Sequence, residues 1–402
     1  MTQRSSATHT PGTTDPGAFA ADPRILDKVL VCVTEDWFAL SHFQPLIRRL
    51  RGLARDVVVV ARDSGRMGEL QALGARTLPL DYERASLNPA RELRTVMALR
   101  RIIAAERPDV VHMIAMKPIV LGGLALMTGR RPRVVVHMTG LGFLAISDTL
   151  KARLACRVAL GIIARTLRRP ASWLLVENPE DLAFLKAGQA DPGDRVTMLG
   201  GAGIDPAAYP ARLDPGNPVP VAAFVARMIR SKGVHVLMEA ARILAARGVP
   251  LVIDLWGETD PGNPEAISAE TLAQWSDGVH TRYRGFTRDV ARVWEAADIF
   301  VLPAMSREGM PRALLEAAAS ARPLVVTDVP GCRHFVTDGV EGLIVPSGDA
   351  VALADALARL AGDAALRARL GTAARAKVLA GYTEDAVEAG VETAYRALMA
   401  IP

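Results

Sequence analysis

The chain has 402 residues, half of them hydrophobic, and a formal net charge of +5, enough for two ordinary domains with separate cores. The mildly basic balance suits an anionic partner such as a nucleotide or a membrane surface. Aromatic content of 5%, with no Lys/Arg run interleaved with stacking rings, argues against nucleic acid. Residues 1–26 are rich in Thr, Ser, Ala, Pro and Gly without the apolar segment of a secretory signal, and read as a disordered tail. From Lys28 the pattern becomes strand, loop, helix, repeated. Val29–Val33, Val57–Val60, Val110–Met113, Val134–Met138 and Trp173–Val176 are short β-branched or apolar runs, with helical spacing between Ser41 and Leu53. Such alternation predicts βαβ units around a parallel sheet. A second series follows Pro215-Gly216-Asn217-Pro218: Val221–Val225, Leu251–Leu255, Ile299–Leu302, Leu324–Thr327 and Gly342–Val345. The Pro/Gly-rich stretch 200–220 reads as the interdomain linker.

The expected fold class is therefore α/β, with two Rossmann-like domains, residues 27–200 and 201–383, whose parallel sheets face a central cleft. Sheets of this kind bind ligands at the C-terminal ends of their strands. The three cysteines, Cys32, Cys156 and Cys332, are scattered without metal or redox spacing and read as buried thiols. No uninterrupted apolar run reaches the roughly 20 residues that span a bilayer. The expectation is a cytoplasmic protein, touching the inner face of the membrane only through its surface.

The chemistry concentrates in Arg307-Glu308-Gly309-Met310-Pro311-Arg312-Ala313-Leu314-Leu315-Glu316. Two carboxylates flank a Gly-x-Pro step, and proline after a flexible glycine favours a helix start near Pro311. The free N–H groups of that helix end would face the space before Glu308, a ready site for a diphosphate. Upstream, Phe224-Val225-Ala226-Arg227-Met228-Ile229-Arg230-Ser231-Lys232-Gly233 sets two cations just past a strand end. Fixed cations there stabilise the charge that develops on a departing diphosphate.

These two segments resemble the donor side of retaining GT-B glycosyltransferases of the GT4 group, and the resemblance runs from Lys28 to Leu398. It implies a nucleotide sugar, with a UDP-sugar as the expectation, and no cofactor or metal. It assigns the diphosphate to Arg227 and Lys232, the ribose to Glu316, and the transferred sugar to Glu308 with the backbone at Gly309, Met310 and Pro311. Phe286 falls in the segment that carries the base, and Gly203 in the linker completes the donor-side set. It also implies that the last helix, 384–402, crosses back to the first domain.

On the acceptor side, Thr34–His42, Met116-Lys117-Pro118 and His137-Met138-Thr139-Gly140-Leu141-Gly142-Phe143 resemble a bacterial branch that extends lipid-linked oligosaccharides and exopolysaccharides. Members of the group carry a histidine just before the Gly-x-Gly loop. Here that position is Thr139, and His137 lies two residues earlier, on the same strand face. His137 is thus the candidate acceptor-side catalytic residue, with His42 and His112 behind it. Between Lys151 and Arg169 six basic and no acidic residues alternate with Leu154, Val158, Leu160, Ile162, Ile163 and Leu167, a pattern suited to anionic lipid. The alternatives left open are a nucleotide-sugar epimerase or phosphorylase of the same architecture, and a non-catalytic subunit that supports another transferase.

Overall fold

The structure is a computed structural model that describes residues 24–82, 88–129, 131–140, 150–213 and 215–402, the side chains of 150–152 excepted. Most of the expected N-terminal tail and the loop at Leu141-Gly142-Phe143 lie outside these residues. The first sheet contains β1 (Leu26–Glu35), β2 (Ala54–Arg62), β3 (Arg76–Pro79), β4 (Val110–Ile114), β5 (Arg133–Met138), β6 (Ser172–Val176) and β7 (Val196–Met198). Their order is β3-β2-β1-β4-β5-β6-β7. Every pairing in it is parallel. The second sheet contains β8 (Val221–Val225), β9 (Val252–Trp256), β10 (Thr281–Gly285), β11 (Ile299–Leu302), β12 (Leu324–Thr327) and β13 (Gly342–Val345). It runs β10-β9-β8-β11-β12-β13, again all parallel.

The central strands are covered on both faces and are apolar over most of their length; Val57 to Val60 and Ile299 to Leu302 are all buried. Apolar side chains of the first domain divide into one layer on either side of its sheet. The second domain has a single large core. In both sheets the strand order reverses beside the first strand, between β1 and β4 and between β8 and β11. These are the points where an open α/β sheet leaves a crevice.

The chain crosses between domains twice. On the way out Ile204 pairs in parallel with Thr383 on the way back: the Ile204 N–H donates to the Tyr382 carbonyl (3.0 Å) and the Glu384 N–H to the Ile204 carbonyl (3.0 Å). Gly203 stands at this crossing with φ 72°, and a Cβ there would lie 2.9 Å from Glu384 Cα. It serves the hinge, as no side chain fits against the returning strand. Beyond the hinge the helix Glu384–Met399 packs on the first domain, burying Val387, Val391, Tyr395 and Leu398 in one of its two layers.

The helix Leu150–Leu167 shows how an amphipathic reading divides in three dimensions. Ile162, Ile163 and Leu167 are buried in the domain, so the fold uses most of the apolar face. Outward lie Arg153, Arg157, Arg165 and Arg168, with Leu154 and Val158 exposed among them. Cys32 and Cys332 are buried, but Cys156, on this helix, is only half-buried.

Candidate functional site

The second sheet's reversal point builds the site. Arg227 and Lys232 follow β8, and the loop carrying Glu308 follows β11, its neighbour. The two loops touch directly. Gly233 has φ 76° and passes so close to the Pro303 carbonyl that a Cβ would overlap it, and the Met305 N–H donates to the Ser231 carbonyl (2.8 Å). This brings Lys232 Nζ to 2.8 Å from both Glu308 oxygens, with both side chains largely shielded from solvent. Arg227, more exposed, donates to Asp260 Oδ2 at 2.7 Å, a partner on the loop after β9. The helix begins at Arg312, with Pro311 as its extended N-cap, and ends at Ala319. Glu316 faces inward on it and accepts from Arg312 Nε (2.8 Å), and the buried Tyr209 lies close to both charges. Burial, then the Glu316 charge, raises the Tyr209 pKa.

Phe286 follows β10 and is 59% exposed; Trp256, half-buried at the end of β9, lies under the Arg284 guanidinium (5.9 Å to the ring centre). The Met310 N–H does not face open space. It donates to Glu177 Oε2 at 2.9 Å, a carboxyl that arrives from the end of β6 in the other domain. Glu177 is buried, and desolvation pushes its pKa up to about 8. Gly309 is pressed between the Glu177 carboxyl and the Thr139 carbonyl, and any side chain there would meet both.

In the first domain, His137 is fully enclosed rather than presented to the cleft. Its Nδ1 lies 3.3 Å from His112 Nε2, and His112 Nδ1 lies 2.9 Å from the hydroxyl of Tyr395 on the returning helix. Burial drives the pKa of His137 down to about 3 and that of His112 well below its usual value. Both rings are neutral parts of the domain core, and His137 Nε2 has no partner among the described residues. The histidine that approaches the donor side is His42, at the end of the helix Asp36–His42. It is half-buried with Nδ1 2.7 Å from Ser41 Oγ; burial, then the Arg312 and Lys232 charges, lowers its pKa to about 3. Arg312 also donates to the Ser41 carbonyl, joining the two domains at that point. Lys117 donates to Glu92 at 2.8 Å.

Glu177, Asp260 and the approach of His42 to Arg312 escaped the sequence reading. Glu177 and Met310 are 133 residues apart, and Asn178-Pro179-Glu180-Asp181 has the form of an ordinary helix start. The one local hint is a carboxylate set directly behind the apolar run Trp173–Val176.

Two family models match the chain, one on each domain: Glycosyl transferase 4-like over residues 28–169 and Glycosyl transferases group 1 over residues 219–363. The N,N'-diacetylbacillosaminyl-diphospho-undecaprenol alpha-1,3-N-acetylgalactosaminyltransferase of Campylobacter jejuni is 26% identical over 83% of this chain and 89% of its own. An Escherichia coli UDP-Gal:alpha-D-GlcNAc-diphosphoundecaprenol alpha-1,3-galactosyltransferase is 31% identical over 24% of this chain and 25% of its own. Among solved structures, Anabaena Alr3699/HepE in complex with UDP and glucose superposes with a TM-score of 0.74 at 18% identity, covering 92% of this chain and 99% of that one. With a family model on each half, the GT-B arrangement of two facing sheets and full-length likeness to a bacterial enzyme of lipid-linked sugars, the chain belongs to the GT4-type glycosyltransferases.

Proposed function

We propose that the protein is a retaining, metal-independent glycosyltransferase that moves a sugar from a UDP-sugar to a hydroxyl of a lipid-linked or polysaccharide acceptor in cell-surface glycan synthesis. The observation that carries this reading is the meeting of Lys232 and Glu308 at the reversal point of the second sheet, with Arg227 on the same loop after β8. Such a crevice accepts a nucleotide, and its cations suit the diphosphate that leaves. The UDP complex of the Anabaena neighbour and the lipid diphosphate acceptors named for the two relatives support the choice of donor and acceptor class.

In the reaction the bond between the anomeric carbon and the diphosphate oxygen breaks, and Arg227 and Lys232 take up the charge on that oxygen. The acceptor hydroxyl attacks from the same face and passes its proton to the leaving phosphate. Glu308, already held at Lys232, stays beside the transferred sugar and stabilises positive charge at the anomeric carbon. Glu316 receives the ribose hydroxyls once Arg312 yields it. Both cations are paired with carboxylates here, so the donor must exchange those partners for phosphate oxygens.

The outward stripe of Arg153, Leu154, Arg157, Val158, Arg165 and Arg168 supports docking on an anionic bilayer, which would present the acceptor at the inner membrane face. Ligand-detected NMR with UDP-, GDP- and ADP-sugars, with and without EDTA, tests the donor. Selective binding of a UDP-sugar that EDTA leaves intact is expected. Binding of none of them defeats the reading in favour of a non-catalytic subunit. Binding followed by epimerisation or phosphate-dependent cleavage defeats it in favour of an epimerase or phosphorylase.

A further inference from the structure

The segment that follows β6 makes four contacts with the other domain. The Glu177 carboxyl accepts from the Met310 N–H (2.9 Å) and Asn178 Nδ2 donates to the Gly309 carbonyl (3.4 Å). Asp181, wholly buried, accepts from Arg307 Nη2 at 3.1 Å. Glu180 pairs with Arg333 at 3.2 Å. Three of these four partners, Arg307, Gly309 and Met310, surround Glu308 in sequence. The segment is itself fixed. Asn178 caps the helix Pro179–Ala187 by accepting from the Asp181 N–H (2.8 Å), and its Nδ2 donates to Asp181 Oδ2 (3.0 Å). On its opposite side the Glu308 loop rests on Gly331, where a Cβ would overlap the Gly309 carbonyl.

A loop held this way has one firm wall in its own domain and one wall in the partner domain. Parting the domains would remove the second wall. Resting on the donor-site reading above, we propose that Glu177, Asn178 and Asp181 form a positioning latch of the acceptor domain. The latch sets the Glu308 loop only when the two domains are closed. Domain closure and placement of the Glu308 carboxylate are then one event, and an open enzyme that holds a donor is kept from spending it on water.

The latch is tested first without any substrate, by hydrogen–deuterium exchange of the peptide covering residues 305–312 in the nucleotide-free protein. Glu177→Ala removes the acceptor of the Met310 N–H, and exchange of that amide is expected to rise at least tenfold. Glu177→Gln keeps a carbonyl oxygen of the same reach and should restore protection to within about threefold. Arg307→Ala, on the half-exposed partner of Asp181, gives a second opening of the latch that spares the buried carboxyls. Unchanged exchange in both Glu177→Ala and Arg307→Ala, with their melting curves preserved, overturns the latch.

The second arm is kinetic. Donor affinity resides in the other domain, so Glu177→Ala should lower kcat at least tenfold while the donor Kd moves less than threefold, with Glu177→Gln recovering most of kcat. A loss confined to donor Kd, or a kcat untouched by a faster-exchanging loop, overturns the positioning role. A wild-type protein that turns over no UDP-sugar defeats the donor reading instead, and the exchange experiment still decides the latch.

Discussion

Gly309→Ala tests how closely the domains must meet. A Cβ at this position would overlap the Glu177 carboxyl and the Thr139 carbonyl oxygen, and stand 2.9 Å from the Thr139 carbonyl carbon. Reaching ordinary contact at 3.4 Å with that oxygen requires the backbone at the end of β5 to retreat by about 1 Å. Both obstacles belong to the acceptor domain, and one is main chain, so no rotamer change relieves the overlap. Overpacking of this kind costs about 1–3 kcal/mol. The cheapest relief is to part the domains, so that energy is set against the closed form, equivalent to roughly 5- to 150-fold at about 1.36 kcal/mol per tenfold. Initial rates with the UDP-sugar should show kcat down at least about fivefold, and small-angle scattering a larger radius of gyration. The melting midpoint should hold, because parting the domains requires no unfolding. Gly52→Ala is the control: nothing lies within 4 Å of its Cβ, it sits inside the helix Gln44–Leu53, and alanine there should stabilise slightly. A Gly309→Ala enzyme with kcat within twofold of wild type would refute the reasoning, as would a loss explained entirely by unfolding.

Glu316→Ala should weaken donor binding about tenfold by titration calorimetry, whereas Arg227→Ala should mainly lower kcat; unchanged values in both defeat the site assignment. Tyr395→Phe strips His112 Nδ1 of its partner in a fully buried setting and should cost about 1–3 kcal/mol, seen as a lower denaturation midpoint with kcat preserved. Two pH effects of opposite sign follow from burial. His112 and His137 are held neutral in the fold, so the unfolded chain binds more protons below the ordinary histidine value of 6.5; stability is full above it and drains as pH falls toward about 3. Glu177 has its pKa raised to about 8, so the stability linked to its proton is full below the ordinary 4.5 and lost as pH rises through 8. The groups facing it are the Met310 N–H, the Thr139 carbonyl and the like-charged Asp181, itself paired with Arg307. Urea titrations from pH 5 to 9 should show the alkaline loss shrink in Glu177→Gln; equal slopes refute it.

What the sequence disclosed depended on how local the determining contacts are. The long buried strands declare themselves because both faces must be apolar, as in Val57–Val60. The edge strands β3, Arg-Thr-Leu-Pro, and β7, Val-Thr-Met, do not: they are short and only partly covered, so nothing forces a run. The donor loop is legible since Glu308, the glycine and the helix start lie within ten residues. Its partner wall is not, because Glu177 and Asp181 reach it from 133 and 126 residues away. The hinge role of Gly203 was hidden for a similar reason, since the atoms that require a glycine there belong to residues 383 and 384. His137 misled through periodicity: two residues from Thr139 is the same strand face, but the His137 ring packs between Phe43 and His112 inside the domain.

The return of the last helix also fixes an order of assembly. The layer that holds Val29, Leu46 and Val135 is completed by Val391, Tyr395 and Leu398. During synthesis those side chains appear only after the whole donor domain has been made. The donor domain, continuous from Val221 to Val378, can close its core first, while the earlier-born domain waits with one face uncovered. That face of the first domain therefore stays open to solvent for as long as the second domain takes to emerge.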